Sequence, residues 1–351
     1  VPTHPPGKTD LKGLTLTELE ALFADLGEPR YRADQIAAWV FKRGVTTFDD
    51  MTDLPKGVRE RLAERAAIGT ATIVGSERSA IDGTEKLLIE YEDGARIEAV
   101  ILRDEERLTG CVSTQVGCRF DCSFCATGSM GFVRDLTAGE IVEEVMALGR
   151  RTAPGRLGNL VLMGMGEPFD NYDATLQAVR IANAPWGLGI GARRITISTA
   201  GHVPGIRRLA REPLQLNLAV SLNTASQETR AEVMPIAKAF PIDELRSALI
   251  EYVQATGRMV TLEYVLLRGV NDSRQAARKL VDFARKLPCK INLICYNEVS
   301  SAAYAPPTDG TVRRFFAYLR ASCPTVVRRT SRGSDISAGC GQLCVSRDRE
   351  G

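Results

Sequence analysis

From about residue 108 onward the chain alternates short apolar runs with segments of helical spacing, and this alternation restricts the fold more than any other feature. Runs at 160–165, 195–198, 216–222, 260–267, 291–296 and 326–329 predict buried strands. Helices are expected between them. The clearest covers 138–150, where Thr137 and Glu140 form a capping box ahead of Ile141, Val142, Val145 and Met146. Another covers 243–256 and is closed by Gly257. Six or seven such units predict an α/β fold with a parallel sheet, either a partial barrel or doubly wound. In both arrangements the loops at the carboxyl ends of the strands carry the chemistry.

The pattern upstream is different. Leu14, Leu19, Leu22, Phe23 and Leu26 recur at helical spacing before Gly27, Ile36, Trp39, Val40 and Phe41 repeat it over 32–43, and a third helix is expected over 58–66. Strand character follows at 72–74, 86–91 and 96–101, with Asp93-Gly94 as a hairpin turn between the last two. The expected organisation is a disordered lead-in over 1–10, a helical domain over 11–68, a β extension over 69–107 and an α/β core over 108–351. Residues 1–10 lack the apolar centre of a secretory signal, and no run of eighteen apolar residues suggests a membrane span.

Four of the nine cysteines, Cys111, Cys118, Cys122 and Cys125, fall within fifteen residues. Such clustering in a mid-sized chain favours a metal or redox site in a reducing compartment, so a cytoplasmic location is expected. Cys118-Arg-Phe-Asp-Cys122-Ser-Phe-Cys125 places three thiolates in eight residues, soft ligands suited to zinc or an iron–sulfur cluster. Closed zinc sites and ordinary [4Fe-4S] clusters take four protein ligands. This motif supplies three, and the only histidines are His4 and His202. With an iron–sulfur cluster one iron would stay open to a ligand; zinc or a plain electron-transfer cluster remain alternatives on spacing alone.

Charge adds a hint about partners. Residues 268–334 hold thirteen Lys/Arg against four acids, a local +9, which leaves −7 for the rest of a chain whose net charge is +2. A basic region beside an acidic remainder suits a polyanion, although scattered solvated charges would give the same count.

The spacing CxxxCxxC, with Phe124 before the last cysteine, resembles the motif of the radical S-adenosylmethionine (SAM) superfamily, whose open iron holds the amino and carboxylate groups of the cofactor. Gly164-Met-Gly166-Glu167-Pro168 resembles that superfamily's glycine-rich strand. Gly110-Cys111, GMGEPFDNYD at 164–173 and Ser334-Asp-Ile-Ser-Ala-Gly-Cys340-Gly-Gln-Leu343 narrow the resemblance. They are similar to the dual-specificity family that methylates carbon 2 of adenosine in 23S rRNA and tRNA. Tyr31 to Ile36 and Phe48 to Asp53 look like that family's RNA-contacting accessory domain.

The resemblance implies a partial (β/α)6-type radical SAM barrel with a small N-terminal helical accessory domain and a β-hairpin extension. It implies a [4Fe-4S] cluster on Cys118, Cys122 and Cys125, with SAM as methyl donor and radical source. Cys340 would carry the methyl group as S-methylcysteine, Cys111 would resolve the RNA-linked intermediate through a transient disulfide, and Glu98 would accept the proton from carbon 2. Gly166, Glu167, Ser198, Ser221, Leu222, Asn223 and Asn297 would contact the cofactor. Implied partners are 23S rRNA, tRNA and a reduced flavodoxin- or ferredoxin-type electron donor, with no membrane and a monomeric state. This sequence departs from the family pattern at Asn223, where histidine is usual, at 296–300 and at 337–339. Competing readings are the sister enzyme that methylates carbon 8 and confers antibiotic resistance, a radical activase of another substrate, and a non-catalytic RNA-binding protein with a structural metal.

Overall fold

The computed structural model describes residues 7–105, 107–300, 302–323 and 325–345. Fourteen strands occur among them. They are β1 (Thr9–Asp10), β2 (Ala66–Ala67), β3 (Ala71–Arg78), β4 (Glu85–Tyr91), β5 (Arg96–Asp104), β6 (Arg107–Cys111), β7 (Gln115–Gly117), β8 (Phe132–Asp135), β9 (Leu157–Leu162), β10 (Ile195–Thr199), β11 (Asn217–Ser221), β12 (Val260–Leu266), β13 (Cys289–Cys295) and β14 (Val326–Arg329).

Ten of these strands form one sheet in the order β14-β13-β12-β11-β10-β9-β6-β5-β4-β3. From β6 to β14 every pairing is parallel, with helices between successive strands, as the apolar runs predicted. Alternate residues of all seven parallel strands face one interior cavity: Cys111, Val161, Thr196, Ala219, Glu263, Asn292 and Arg329. A flat sheet cannot bring one face of seven strands around a common space, so the sheet is curled into a partial barrel. It stays open because β6 pairs onward with β5 rather than with β14. The β extension is therefore continuous with the barrel sheet, adding three antiparallel strands to its first edge. Asp93-Gly94 turns the β4–β5 hairpin, with Gly94 at φ +79°.

Several expectations change on folding. The 326–329 run, read as a buried strand, is the outer edge of the sheet; it has one neighbour and its last three residues are exposed. The 32–43 segment is α-helical over Tyr31–Ala37 and continues as a π-helical turn over Ala38–Arg43, ended by Gly44 at φ +68°. The lead-in expected over 1–10 is ordered at its end: Thr9–Asp10 pairs with β2, and Asp10 caps the following turn. Residues 1–6 of that stretch lie outside the described residues.

Helix Ala138–Thr152 joins the parts of the molecule. Its capping box forms as expected, with Thr137 N donating to Glu140 Oε2 at 2.8 Å and Glu140 N to Thr137 Oγ1 at 3.2 Å. Its buried acids serve two sides. Glu143 pairs with the fully buried Lys12 of the N-terminal domain, whose Nζ also donates to Gly69 O at 2.5 Å. Glu144 accepts Ser113 N at 2.9 Å, at the root of the cysteine loop. No helix among the described residues is long and apolar enough to cross a membrane.

Candidate active site

The cysteine loop is the connection of a small antiparallel ribbon between β7 and β8. Gly117 ends β7 at φ +77°, where a Cβ would fall 1.8 Å from Gly131 O, so only glycine fits. Cys118 N donates to Gly131 O at 3.1 Å and Cys125 N to Cys122 O at 3.0 Å, which closes the loop on itself. Phe124 is buried against Val233, Met234 and Tyr296, and Ser123 N donates to Val233 O at 3.1 Å. Arg119 stacks 3.5 Å over Phe132 and pairs with Asp170 at 2.9 Å. The loop that carries the thiols is thus anchored at its base and along its length.

The glycine-rich segment follows β9 and presses on the strand that leads into the cysteines. A Cβ on Gly164 would lie 2.7 Å from Ser113 and Val112, and one on Gly166 (φ +96°) 2.6 Å from Gln115. Thr114 N donates to Met165 O at 2.8 Å and Glu167 N to Gln115 Oε1 at 2.9 Å. Both glycines also line the cavity beside the cysteines. They permit close backbone packing and an open floor at the same positions.

Cys118, Cys122 and Cys125 line one cavity of about 160 Å³ together with Gly166, Glu167 and Cys340. Ser198, Ser221 and Asn223 lie in its wall at the strand ends. Leu222 does not; it is fully buried in the core. Asn223 sits at φ +56°, and its amide is engaged, Oδ1 accepting Val265 N at 3.0 Å. Asn297 does not line this cavity either; it is half-buried, lines the neighbouring barrel cavity and donates to Cys340 O at 3.3 Å. Glu167 is buried with both oxygens taken by main-chain N–H groups, Ala200 at 2.7 Å and Phe169 at 3.2 Å. Burial pushes its carboxyl up to about 7 against these bonds.

The donor set fits an iron–sulfur cluster. Three soft thiols share the cavity, and His202, the one histidine among the described residues, has Nδ1 engaged with Gly205 N at 3.1 Å. Burial pushes the Cys118 thiol up to about 12 and raises Cys122 as well, so a metal charge is what would hold them as thiolates. No three His, Cys, Asp or Glu groups among the described residues converge on a single ion. A cubane does not ask for that, since each thiolate binds its own iron corner.

A second cavity of about 690 Å³ fills the barrel below and shares Met163, Glu263, Ile294, Arg329, Cys340 and Leu343 with the first. Cys111 lines it from β6 and Cys340 from the C-terminal segment. Cys340 is solvent-exposed as a residue, yet desolvation in this lining raises its thiol; Arg329 opposes the rise. Burial raises Cys111 further, aided by Cys340 and Glu144. All nine cysteines are free thiols.

The Cys340 segment is laced to three elements. Ala126 N donates to Gly341 O at 2.7 Å and Thr127 Oγ1 to Leu343 O at 2.6 Å, directly behind Cys125. Gly333 N donates to Asp82 Oδ2 at 2.9 Å and Ala80 N to Asp335 Oδ2 at 3.1 Å, from the β3–β4 turn. Cys344 N donates to Glu98 Oε2 at 2.9 Å. Sequence motifs gave no sign of this lacing, because its partners lie in the β extension and the loop after Cys125.

Glu98 sits on β5, with its N–H 3.3 Å from Met165 Sδ and its carboxylate 3.2 Å from Lys86 Nζ. Glu98 lines a separate cavity of about 570 Å³ together with Gln342, Cys344 and Val345, one that neither Cys111 nor Cys340 lines. Burial raises its carboxyl; Lys86 and the Cys344 N–H pull against that. On the far flank, helices Arg274–Ala284 and Asp309–Ser322 pack together and expose Arg274, Arg278, Lys279, Arg313, Arg314 and Arg320. Six of the thirteen basic residues of 268–334 thus share this flank, whereas Lys290 and Arg329 line the barrel cavity and Arg332 pairs with Asp104.

Comparison with known proteins agrees with this architecture. The profile of the ribosomal RNA large subunit methyltransferase N-terminal domain matches residues 9–68, and that of the radical SAM superfamily matches 112–281. A protein of Opitutus terrae named a probable dual-specificity RNA methyltransferase RlmN is 45% identical over 98% of this chain and 96% of its own length. The dual-specificity RNA methyltransferase RlmN of Syntrophotalea carbinolica is 44% identical, covering 96% of this chain and 90% of that one. The crystal structure of a radical SAM methyltransferase from Sphaerobacter thermophilus superposes with a TM-score of 0.91 at 48% identity, over 95% of this chain and 99% of that one.

Proposed function

The chain belongs to the RlmN family of radical SAM dual-specificity RNA methyltransferases, and we propose that Cys340 and Cys111 are the thiol pair through which it methylates carbon 2 of an adenine. The enzyme class, the methylation of adenine in rRNA and tRNA and the use of a [4Fe-4S] cluster with SAM follow from that membership. The observation that carries the thiol assignment is the placement of Cys340 in the wall shared by the two cavities, between the three-cysteine loop and Cys111.

When bound, the cluster and its cofactor supply a methyl group and one-electron bond cleavage. The chain's residues do the rest. Cys118, Cys122 and Cys125 hold the cluster, while Gly166, Glu167, Ser198, Ser221 and Asn223 shape the adjoining floor and wall. Leu222 and Asn297 act less directly, the first through backbone packing and the second by holding the Cys340 carbonyl. Cys340 gives up its thiol proton and becomes the sulfur nucleophile that accepts the methyl group. Arg329 favours the thiolate.

Once the carbon is joined to the base, the Cys111 thiolate attacks Cys340 sulfur. The sulfur–carbon bond breaks with its electron pair going to carbon, which takes up a proton to complete the methyl group, and a disulfide remains to be reduced by an external dithiol. Glu98 is the proton acceptor in this reading. Its bond from Cys344 N ties the C-terminal segment to that role. The RNA is taken up with the help of the helical domain over 11–68 and the basic flank of the barrel. A flavodoxin- or ferredoxin-type donor supplies the electron.

The test is anaerobic reconstitution followed by incubation with dithionite, labelled SAM and unmodified 23S rRNA fragment or tRNA, with the nucleosides identified by mass spectrometry. 2-Methyladenosine that disappears in Cys340→Ala supports the assignment. 8-Methyladenosine transfers the protein to the sister activity, and full product from Cys340→Ala removes Cys340 from the mechanism.

A further inference from the structure

Behind the cysteine loop lies a buried cation that pairs with no carboxylate among the described residues. Arg230, in helix Gln227–Val233, is fully buried. Its Nε donates to Leu222 O at 3.3 Å, and its Nη2 to Ala200 O at 2.5 Å and Ser221 O at 3.4 Å. These carbonyls sit at the ends of β10 and β11, beside the cavity, and they fix the guanidinium in place. Nη1 is enclosed with no hydrogen-bond partner. Among the described residues no carboxylate forms an ion pair with Arg230; burial works against its charge and Cys122 favours it.

A buried charge left without a counter-charge is strongly disfavoured, so a guanidinium in this position calls for an anion. Cys122 feels Arg230 in turn, and Ser123 N is tied to Val233 O at the end of the same helix. Three thiolates around a dipositive iron–sulfur core leave one net negative charge, and reduction adds a second. We propose that Arg230 is the fixed counter-charge of the iron–sulfur centre, acting through Cys122 to favour the reduced state and to support cluster loading. This rests on Cys118, Cys122 and Cys125 being the cluster ligands. Arg230 touches no substrate and is a positioning and tuning residue.

The experiment compares full-length wild type, Arg230→Gln and Arg230→Lys, reconstituted anaerobically without added SAM. Iron and sulfide content are assayed, and the reduction midpoint is read by titration monitored with electron paramagnetic resonance. Removing a unit charge where the surroundings screen it poorly should disfavour reduction at least tenfold in the Gln variant, about 59 mV for a one-electron couple. Arg230→Lys keeps the charge and should stay close to wild type. If the Gln variant does not fold, Arg230→Met preserves the aliphatic stem and carries the same comparison. A Gln or Met variant with wild-type iron content and an unchanged midpoint overturns the proposal, as does a Lys variant shifted as far as Gln. A wild-type protein that takes up no iron overturns instead the assignment of the three ligands.

Discussion

Glu167→Gln separates the cost of a buried carboxylate from the value of its hydrogen bonds. Glu167 is buried and accepts two main-chain N–H groups, yet desolvation moves its carboxyl from an ordinary 4.5 to about 7. With the folded pKa the higher one, the folded protein holds this proton more tightly than the unfolded chain does. The stability from this group is therefore full below about pH 4.5 and lost as pH rises through about 7. The interval corresponds to roughly 3 kcal/mol by pH 8.5. Glutamine cannot ionise, but it turns an NH2 towards one of the two N–H donors, a loss of about 1–2 kcal/mol at any pH.

The variant should then be less stable than wild type at pH 5, and the difference should close or reverse by pH 8.5. Urea unfolding of the cluster-free protein at four pH values between these limits measures it, since the remaining titratable groups cancel in the difference. A wild-type-to-variant difference that stays constant across that range would refute the reasoning.

Three further outcomes are expected. Glu98→Gln should lower single-turnover methylation about 10²-fold or more and abolish an acid limb lying above the ordinary carboxylate range, since burial raises this carboxyl; an unchanged pH–rate profile removes Glu98 as the base. Cys111→Ala should accumulate an RNA–protein adduct on denaturing gels that is absent from the Cys111→Ala/Cys340→Ala double variant, and free methylated RNA in normal yield would contradict the resolving role. Gly117→Ala should lose most of its bound iron on reconstitution, because its Cβ would meet Gly131 O at 1.8 Å and spread the ribbon that carries the thiols; iron content equal to wild type would show that the ribbon tolerates the change.

What the sequence determined by itself was local. Cys118, Cys122 and Cys125 lie within eight residues, so their spacing alone announces a shared ligand. The strand–helix alternation announces a parallel sheet because strand and helix periods are properties of neighbouring residues. The Thr137–Glu140 box and the Asp93-Gly94 turn were legible for the same reason.

What only the tertiary structure decided was which distant residues meet. Resemblance had to nominate Cys111 and Cys340; the curl of the sheet brings them to one cavity. Helical periodicity marked Val142 and Val145 as core but was silent on Glu143 and Glu144, whose burial depends on Lys12 and Ser113 N arriving from other elements. The 326–329 run shows the reverse error: strand character is local, but whether a strand is central or at the edge depends on neighbours the run itself cannot specify. Arg230 is the sharpest case, an ordinary charged residue of a short helix until the fold buries it with no carboxylate partner among the described residues.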